Sequence, residues 1–419
     1  MPAMRMSSES VLQPVIEFSR LPASARAVFG LLRQLRHGVL DVELPGGGRL
    51  RFGAPDGPAA IRASIRLHDW QPCAAVLRSG DIGFAEAYMD GRWTTPDLSA
   101  LLGLFIANRA SLEGVVYGSW WGSLLYRLRH RLNRNSRRGS RQNIHAHYDL
   151  GNAFYGLWLD PTMNYSSAWF ESMRPDERAC ADLAAGQRAK MRRALSECAV
   201  APGHRVLEIG CGWGALAETA ARDHGARVTG LTLSSEQLEY ARRRLADAGL
   251  DADLRYQDYR ELGRAAETYD AVVSIEMFEA VGRAYWPDFF RTVHAALRPG
   301  GRACIQTITI RDDLYERYLR STDFIQQYIF PGGLLPSPSA FREAARRAGL
   351  RVTGELSFGR DYAETLRRWR SAFNGAEAQA RRLGFDTRFV RLWEFYLAYC
   401  EAAFDADNTD VVQFTLMRD

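Results

Sequence analysis

Two textures of apolar and polar positions divide the chain. Residues 1–126 mix short apolar runs with Gly and Pro. Within them LPGGGRLRFGAP reads as a hairpin, two strands around Gly46–Gly48. Further on, PDLSALLGLFIANRASLEGVVYGSWWGSLLYRL reads as one or two helices rich in Leu, Phe and Trp. Asn108, Arg109 and Glu113 interrupt this most apolar region, so no run reaches the ~18 residues that a bilayer-spanning helix needs.

From residue 143 the pattern alternates between helices and short apolar strands. HRVLEIG (204–210) predicts a buried strand, ALAETAARDH an amphipathic helix and ARVTGLTL the next strand. SSEQLEYARRRLADAGL predicts a helix with Ser234 or Ser235 as N-cap and Gly249 at its end. DADLRYQDY and YDAVVSIEMF follow as strands. WPDFFRTVHAALRPGG is a helix closed by Pro-Gly-Gly, and RACIQTITI is a fifth strand. Repeated β-α-β units of this kind predict an α/β fold with a doubly wound parallel sheet. Residues 311–419 read as mostly helical and aromatic, ending in one strand, VVQFTLM.

Charge sharpens this division. The 419 residues carry 54 Lys+Arg against 49 Asp+Glu, a net +5 too mild to imply nucleic acid. Seven Arg and no acid fall in 127–141, RLRHRLNRNSRRGSR; without them 47 basic residues face 49 acidic ones. The whole excess is one strip, just after Trp120, Trp121 and Tyr126, and no nucleic-acid-binding motif accompanies it. An aromatic helix followed by a basic strip is the make-up of a membrane-surface contact; a helix packed on its own core is the alternative. Lys190 is the only lysine, which reads as composition bias. The six cysteines form no C-x-x-C pair, and His145 and His147 lack clustered partners, so no metal site is expected. MPAMRMSSES has no apolar core behind a positive charge, so no signal peptide is expected.

The first strand of the alternating region runs into Glu208-Ile-Gly210-Cys-Gly212-Trp-Gly214. A glycine turn between strand and helix lets the backbone approach a ligand closely. The G-x-G-x-G spacing, with an acid two residues before the first glycine, favours S-adenosylmethionine over a dinucleotide. That zwitterion needs close backbone contacts and no phosphate clamp. The second strand ends in Thr232-Leu-Ser-Ser-Glu-Gln237, neutral groups where an acid usually holds a ribose.

Those residues, with His147-Tyr-Asp-Leu-Gly-Asn152, Asn164-Tyr-Ser-Ser-Ala168, Tyr328-Ile-Phe-Pro-Gly-Gly333 and Gly83-Phe-Ala-Glu-Ala-Tyr-Met-Asp-Gly91, resemble the cyclopropane-fatty-acyl-phospholipid synthase family. The resemblance implies a Rossmann-like class I methyltransferase domain at 143–419. It further implies a smaller mixed α/β lipid-handling and membrane-contact domain at 1–126, with 127–142 as an Arg-rich linker. It implies methyl transfer to the cis double bond of a phospholipid acyl chain. Carried over by position, the cofactor residues are Tyr165, Ser166, Glu208, Gly210, Cys211, Gly212, Trp213, Gly214, Thr232, Leu233, Gln237, Asp258 and Tyr259.

Methylation of an alkene creates a carbocation, and ring closure then needs a base in a dry, apolar site. Aromatic faces tolerate such a cation, and Phe154, Tyr155, Trp158, Trp169, Phe278, Phe324 and Tyr328 are the candidate lining, of which fewer than half are expected to serve. Many family members hold bicarbonate as the base through a Cys, a Glu, a His and a Tyr. Here Glu279 and Tyr362 match, but the other two positions read Ser167 and Gln306, which speaks against bicarbonate. Glu276 stands where those members have a small residue, closer to the plant-type and some actinobacterial branches. The expectation is that the Glu276 carboxylate replaces bicarbonate, held by Gln306 or Tyr362. Cys400 matches a cysteine often described as catalytic, yet methyl passes directly from sulfur to carbon, and packing among Tyr396, Tyr399 and Phe404 explains it better.

The implied partners are an unsaturated phospholipid and an anionic membrane surface, without nucleic acid, for a cytoplasmic enzyme held peripherally at the inner face. The oligomeric state, a homodimer included, is open. So is the product: a ring, or a methylene or methyl-branched chain. A small-molecule N-methyltransferase is the more distant alternative.

Overall fold

The computed structural model describes residues 18–54, 60–116, 150–171, 174–262 and 268–419. The Arg strip, Trp120, Trp121, Tyr126, His145 and His147-Tyr-Asp149 lie outside these residues. The chain forms two compact units, Met1–Ser119 and Trp120–Asp419.

In the first unit, β1 (Gly38–Glu43) and β2 (Arg49–Ala54) form the hairpin expected around Gly46–Gly48. β3 (Arg62–Leu67) runs parallel to β1, and the short β4 (Trp93–Thr94) closes the order β2-β1-β3-β4. The helix Gln71–Met89 breaks at Gly80, where φ is 61° and ψ −134°, a conformation open to glycine. Asn108, which interrupts the apolar run in the sequence, is buried. Its Oδ1 accepts from the N–H groups of Arg36 and His37, and its Nδ2 donates to the carbonyls of His37 and Leu104. The polar residue is there to satisfy backbone groups that the core would otherwise leave unmet.

The second unit is built on a seven-stranded sheet of order β10-β11-β9-β8-β5-β6-β7. β5 (Arg205–Ile209), β6 (Arg227–Thr232), β7 (Asp253–Tyr256), β8 (Tyr269–Ile275) and β9 (Leu297–Ile310) are parallel, as the alternating pattern predicts. Two departures follow from the C-terminal region. β10 (Leu350–Ser357) is a strand inside the stretch read as mostly helical, and its residues alternate between covered and exposed. The final strand, β11 (Thr409–Arg418), is inserted antiparallel between β9 and β10 rather than added at the rim. It is buried on both faces, with Phe414 stacked on Phe341 at 4.0 Å. β11 is thus the antiparallel strand, while β10, antiparallel to β11, runs in the direction of β9; together they widen a doubly wound core whose β5–β6 junction carries the glycine turn.

Candidate active site

The turn after β5 depends on three left-handed glycines: φ is +88° at Gly210, +49° at Gly212 and +82° at Gly214. A Cβ on Gly210 would meet Met277 Cγ at 2.9 Å, and one on Gly214 would meet Ala241 Cβ at 2.8 Å. Above Gly212 the space is open. The N–H groups of Gly210 and Cys211 both donate to Leu231 O at 2.9 Å, which ties the turn to β6.

A cavity opens over this turn. Of the cofactor residues expected from the motifs, Tyr165, Ser166, Glu208, Gly210, Cys211, Gly212, Trp213, Thr232, Leu233, Gln237 and Tyr259 line it. Gly214 and Asp258 do not. Gly214 serves close packing against the helix Ser235–Asp247. The Asp258 carboxylate turns back on Arg260, accepting from Nε at 2.9 Å and Nη2 at 2.6 Å; Gln257 and Arg260 reach the cavity instead.

Ser234 is the N-cap of the helix Ser235–Asp247, its Oγ accepting from Gln237 N at 3.3 Å. Thr232 Oγ1 accepts from Ser234 N and donates to Gln237 Oε1 at 3.2 Å. Thr232 and Gln237 thus present a fixed neutral pair to the cavity, suited to hydroxyl groups. Glu208 is fully buried, its Oε2 has no hydrogen-bond partner, and burial pushes the acid up to about 8. An unmet buried carboxyl oxygen on a cavity wall fits a cationic ligand group. The ammonium end of S-adenosylmethionine is such a group, and the open face of Gly212 admits close backbone contact.

Beside this lies a second polar cluster. Glu276, at the end of β8, has φ +49°, a conformation non-glycine residues adopt at a cost of order 1–3 kcal/mol, held here by its surroundings. Its N–H donates to Gln306 O at 2.8 Å. Its carboxylate Oε1 accepts from Ser167 N at 2.9 Å and Gln306 Nε2 at 2.7 Å; Oε2 accepts from Tyr362 Oη at 2.7 Å. Gln306 and Tyr362 therefore both bind Glu276, and the carboxylate lies on the cavity wall rather than in solvent. Burial raises its pKa, while the charge of Lys190 and the three donors oppose the rise.

Lys190 is fully buried on the helix Leu183–Glu197, and its Nζ donates to Ser166 Oγ. Burial lowers its pKa to about 8 against the pull of Glu276 and Asp160. The sequence carried a signal for it: one lysine among 53 arginines, set aside as composition.

Glu279 lies near Glu276 but is not on the cavity wall. Its Oε1 accepts from Ile308 N, its Oε2 is buried without a partner, and burial with the Glu276 charge pushes it up to about 8. Burial and Asp323 hold the Cys400 thiol well above its ordinary range, so it is no thiolate nucleophile. None of the seven candidate aromatics lines this cavity. Phe154 packs on Phe385 at 4.8 Å and Trp393 at 5.0 Å, Phe278 on Phe289 and Phe341, and Phe324 on Phe395.

A family model described as mycolic acid cyclopropane synthetase matches residues 135–414. The chain belongs to the mycolic acid cyclopropane synthetase family. Among its relatives, a tuberculostearic acid methyltransferase, UfaA1, of Mycobacterium tuberculosis is 41% identical over 375 residues, covering 88% of this chain and 86% of its own. The cyclopropane-fatty-acyl-phospholipid synthase of Escherichia coli K12 is 32% identical over 358 residues, covering 85% and 88%. The solved mycolic acid cyclopropane synthase CmaA1, complexed with SAH and CTAB, is 33% identical with a TM-score of 0.60, over 66% of this chain and 98% of that one. As a member of the cyclopropane synthetase family, the chain is an S-adenosylmethionine-dependent methyltransferase that acts on lipids, as its motifs imply. No helix among the described residues is long and apolar enough to cross a membrane.

Proposed function

We propose that the enzyme methylates the cis double bond of an unsaturated acyl chain in a membrane phospholipid, and that Glu276 removes the proton that ends the reaction. The observation that supports this is the Glu276 carboxylate on the cavity wall, held by three donors.

S-adenosylmethionine, when bound, supplies an electrophilic methyl. As a carbon–carbon bond forms and the carbon–sulfur bond breaks, positive charge appears on the acyl chain. The covered carboxylate of Glu276 stabilises that charge and takes a proton from the new methyl, and the released electron pair closes the ring. Ser167 N–H, Gln306 and Tyr362 keep the carboxylate aimed. The charge of Lys190 favours its ionised form without a direct bond.

A second product has its own support. If a hydride shifts to the cationic carbon before deprotonation, loss of a methyl proton leaves a methylene branch. The relative that is 41% identical is named for tuberculostearic acid, not for a ring. Incubating the enzyme with labelled cofactor and phospholipid vesicles separates the two: both products add the same mass, and only the methylene is readily hydrogenated. Glu276→Gln should abolish either product. Near-normal turnover by that variant, without a bicarbonate requirement, would remove Glu276 from the mechanism.

The proposal extends to location. The unit Met1–Ser119 and the Arg strip at 127–141 would hold the enzyme on the anionic inner face of the membrane, at about 1 kcal/mol per basic residue near the surface. Vesicle co-sedimentation should weaken steeply with salt; salt-independent binding would leave the strip a linker.

A further inference from the structure

Glu276 is met by a hydrogen-bond chain that begins far from it in sequence. Gln306 on β9 and Gln413 on β11 are cross-strand partners, both fully buried. Arg193 Nη1 donates to Gln413 Oε1 at 2.6 Å. That leaves the Gln413 amide only its hydrogens to offer on the other side. Nε2 donates one to Lys190 O at 3.1 Å and one to Gln306 Oε1 at 3.0 Å. With its carbonyl so occupied, Gln306 must turn its own Nε2 to Glu276.

Every link is directional, because a guanidinium can only donate and an amide has one end of each kind. Reversing any one link would place two carbonyl oxygens, or two NH2 groups, against each other in a buried site. The structure assigns Arg193 and Gln413 as positioning residues that dictate which end of the Gln306 amide faces the Glu276 carboxylate. Neither touches the cavity, and neither follows from any motif.

The consequence is chemical. Gln306 NH2 stabilises the carboxylate form of Glu276, and a Gln306 carbonyl in the same place would repel it. The other groups facing Glu276 are Lys190 from the helix Leu183–Glu197, Tyr362 from the helix Gly359–Gly375 and Glu279 from its own loop. None of these bonds the Gln306 side chain, so none can replace Arg193 and Gln413 in setting its orientation.

This assignment rests on Glu276 as the base, and the test keeps the two apart. Gln413→Met keeps the chain length and adds no charge but has no hydrogen to give. The Gln306 carbonyl then loses its donor, and the amide is free to turn that carbonyl toward Glu276. The acid limb of the kcat–pH profile should move up by roughly one pH unit, with KM for both substrates within about twofold. Arg193→Met, at a partly exposed site that threatens folding less, should move the limb the same way by a smaller amount. A limb that stays in place in both variants overturns the assignment, and so does a uniform loss of kcat at every pH. Glu276→Gln is run beside them. If it turns over normally, the base is lost and the relay with it. If it is inactive while the limb stays put in the other two, the base stands and the relay alone is lost.

Discussion

Tyr362 donates its hydroxyl hydrogen to Glu276 Oε2 across 2.7 Å, although 86 residues separate them in the chain. The tyrosine is buried, and the negative charge of Glu276 adds to burial in holding its phenol well above the ordinary range. It therefore remains a donor at every working pH. Tyr362→Phe should lower kcat about 10- to 100-fold and move its acid limb upward. Activity unchanged across pH 6–9 would show that Oε2 needs no donor.

Glu208 should release a proton when the cofactor binds. Its pKa of about 8 keeps it mostly protonated at neutral pH, and a cationic ligand beside the unmet Oε2 favours the ionised form. Calorimetric titration with S-adenosylhomocysteine, in buffers of differing ionisation enthalpy, should report up to about one proton released at pH 7. Buffer-independent heats would place the ammonium elsewhere.

The same groups set a stability slope. Glu208 and Glu279 are raised from 4.5 to about 8 in the folded chain. A raised folded pKa contributes stability that is complete below about 4.5 and lost as pH rises through 8. The melting temperature without cofactor should therefore fall from pH 5 to pH 8, and Glu279→Gln should flatten that fall. A melting temperature rising over this window would contradict the burial of both acids.

The glycines of the turn should separate by role. Gly214→Ala drives a Cβ to 2.8 Å from Ala241 and should cost about 1–3 kcal/mol in denaturant unfolding. Gly212→Ala meets nothing in the protein, so it should cost only about 1 kcal/mol while cutting cofactor affinity at least tenfold. Equal affinity losses in both variants would deny Gly212 its place under the ligand.

Cys400→Ala should keep kcat within about twofold, since its thiol is held in the protonated form. A large loss with KM unchanged would give the thiol a role that its surroundings argue against.

Local pattern carried the doubly wound sheet and the cofactor turn, because strand ends and glycine spacing are set within a few residues. The family resemblance also reached Glu276 and Gln306, which stand where the motif changes, and Tyr362, which stands where it is kept. Arg193 and Gln413 were out of reach: they are brought to Gln306 because β11 is inserted beside β9, an order no local pattern encodes, whereas Lys190 left only its singularity as a signal. β10 escaped for a different reason, its Leu350, Val352 and Leu356 alternation being short and embedded among helices. Phe154, Phe278 and Phe324 pack in ring clusters, and apolar spacing reads the same whether a ring faces a core or a cavity.

The lone buried lysine has a practical meaning. With no other lysine in the chain, the folded enzyme presents no side-chain amine to acetyl donors, isopeptide-forming ligases or amine-reactive labels. Such reagents can reach Lys190 only when the wall behind Ser166 opens. A single buried ε-amine bonded to Ser166 thus makes the protein its own reporter: the rate at which Lys190 becomes modified measures how often that wall opens.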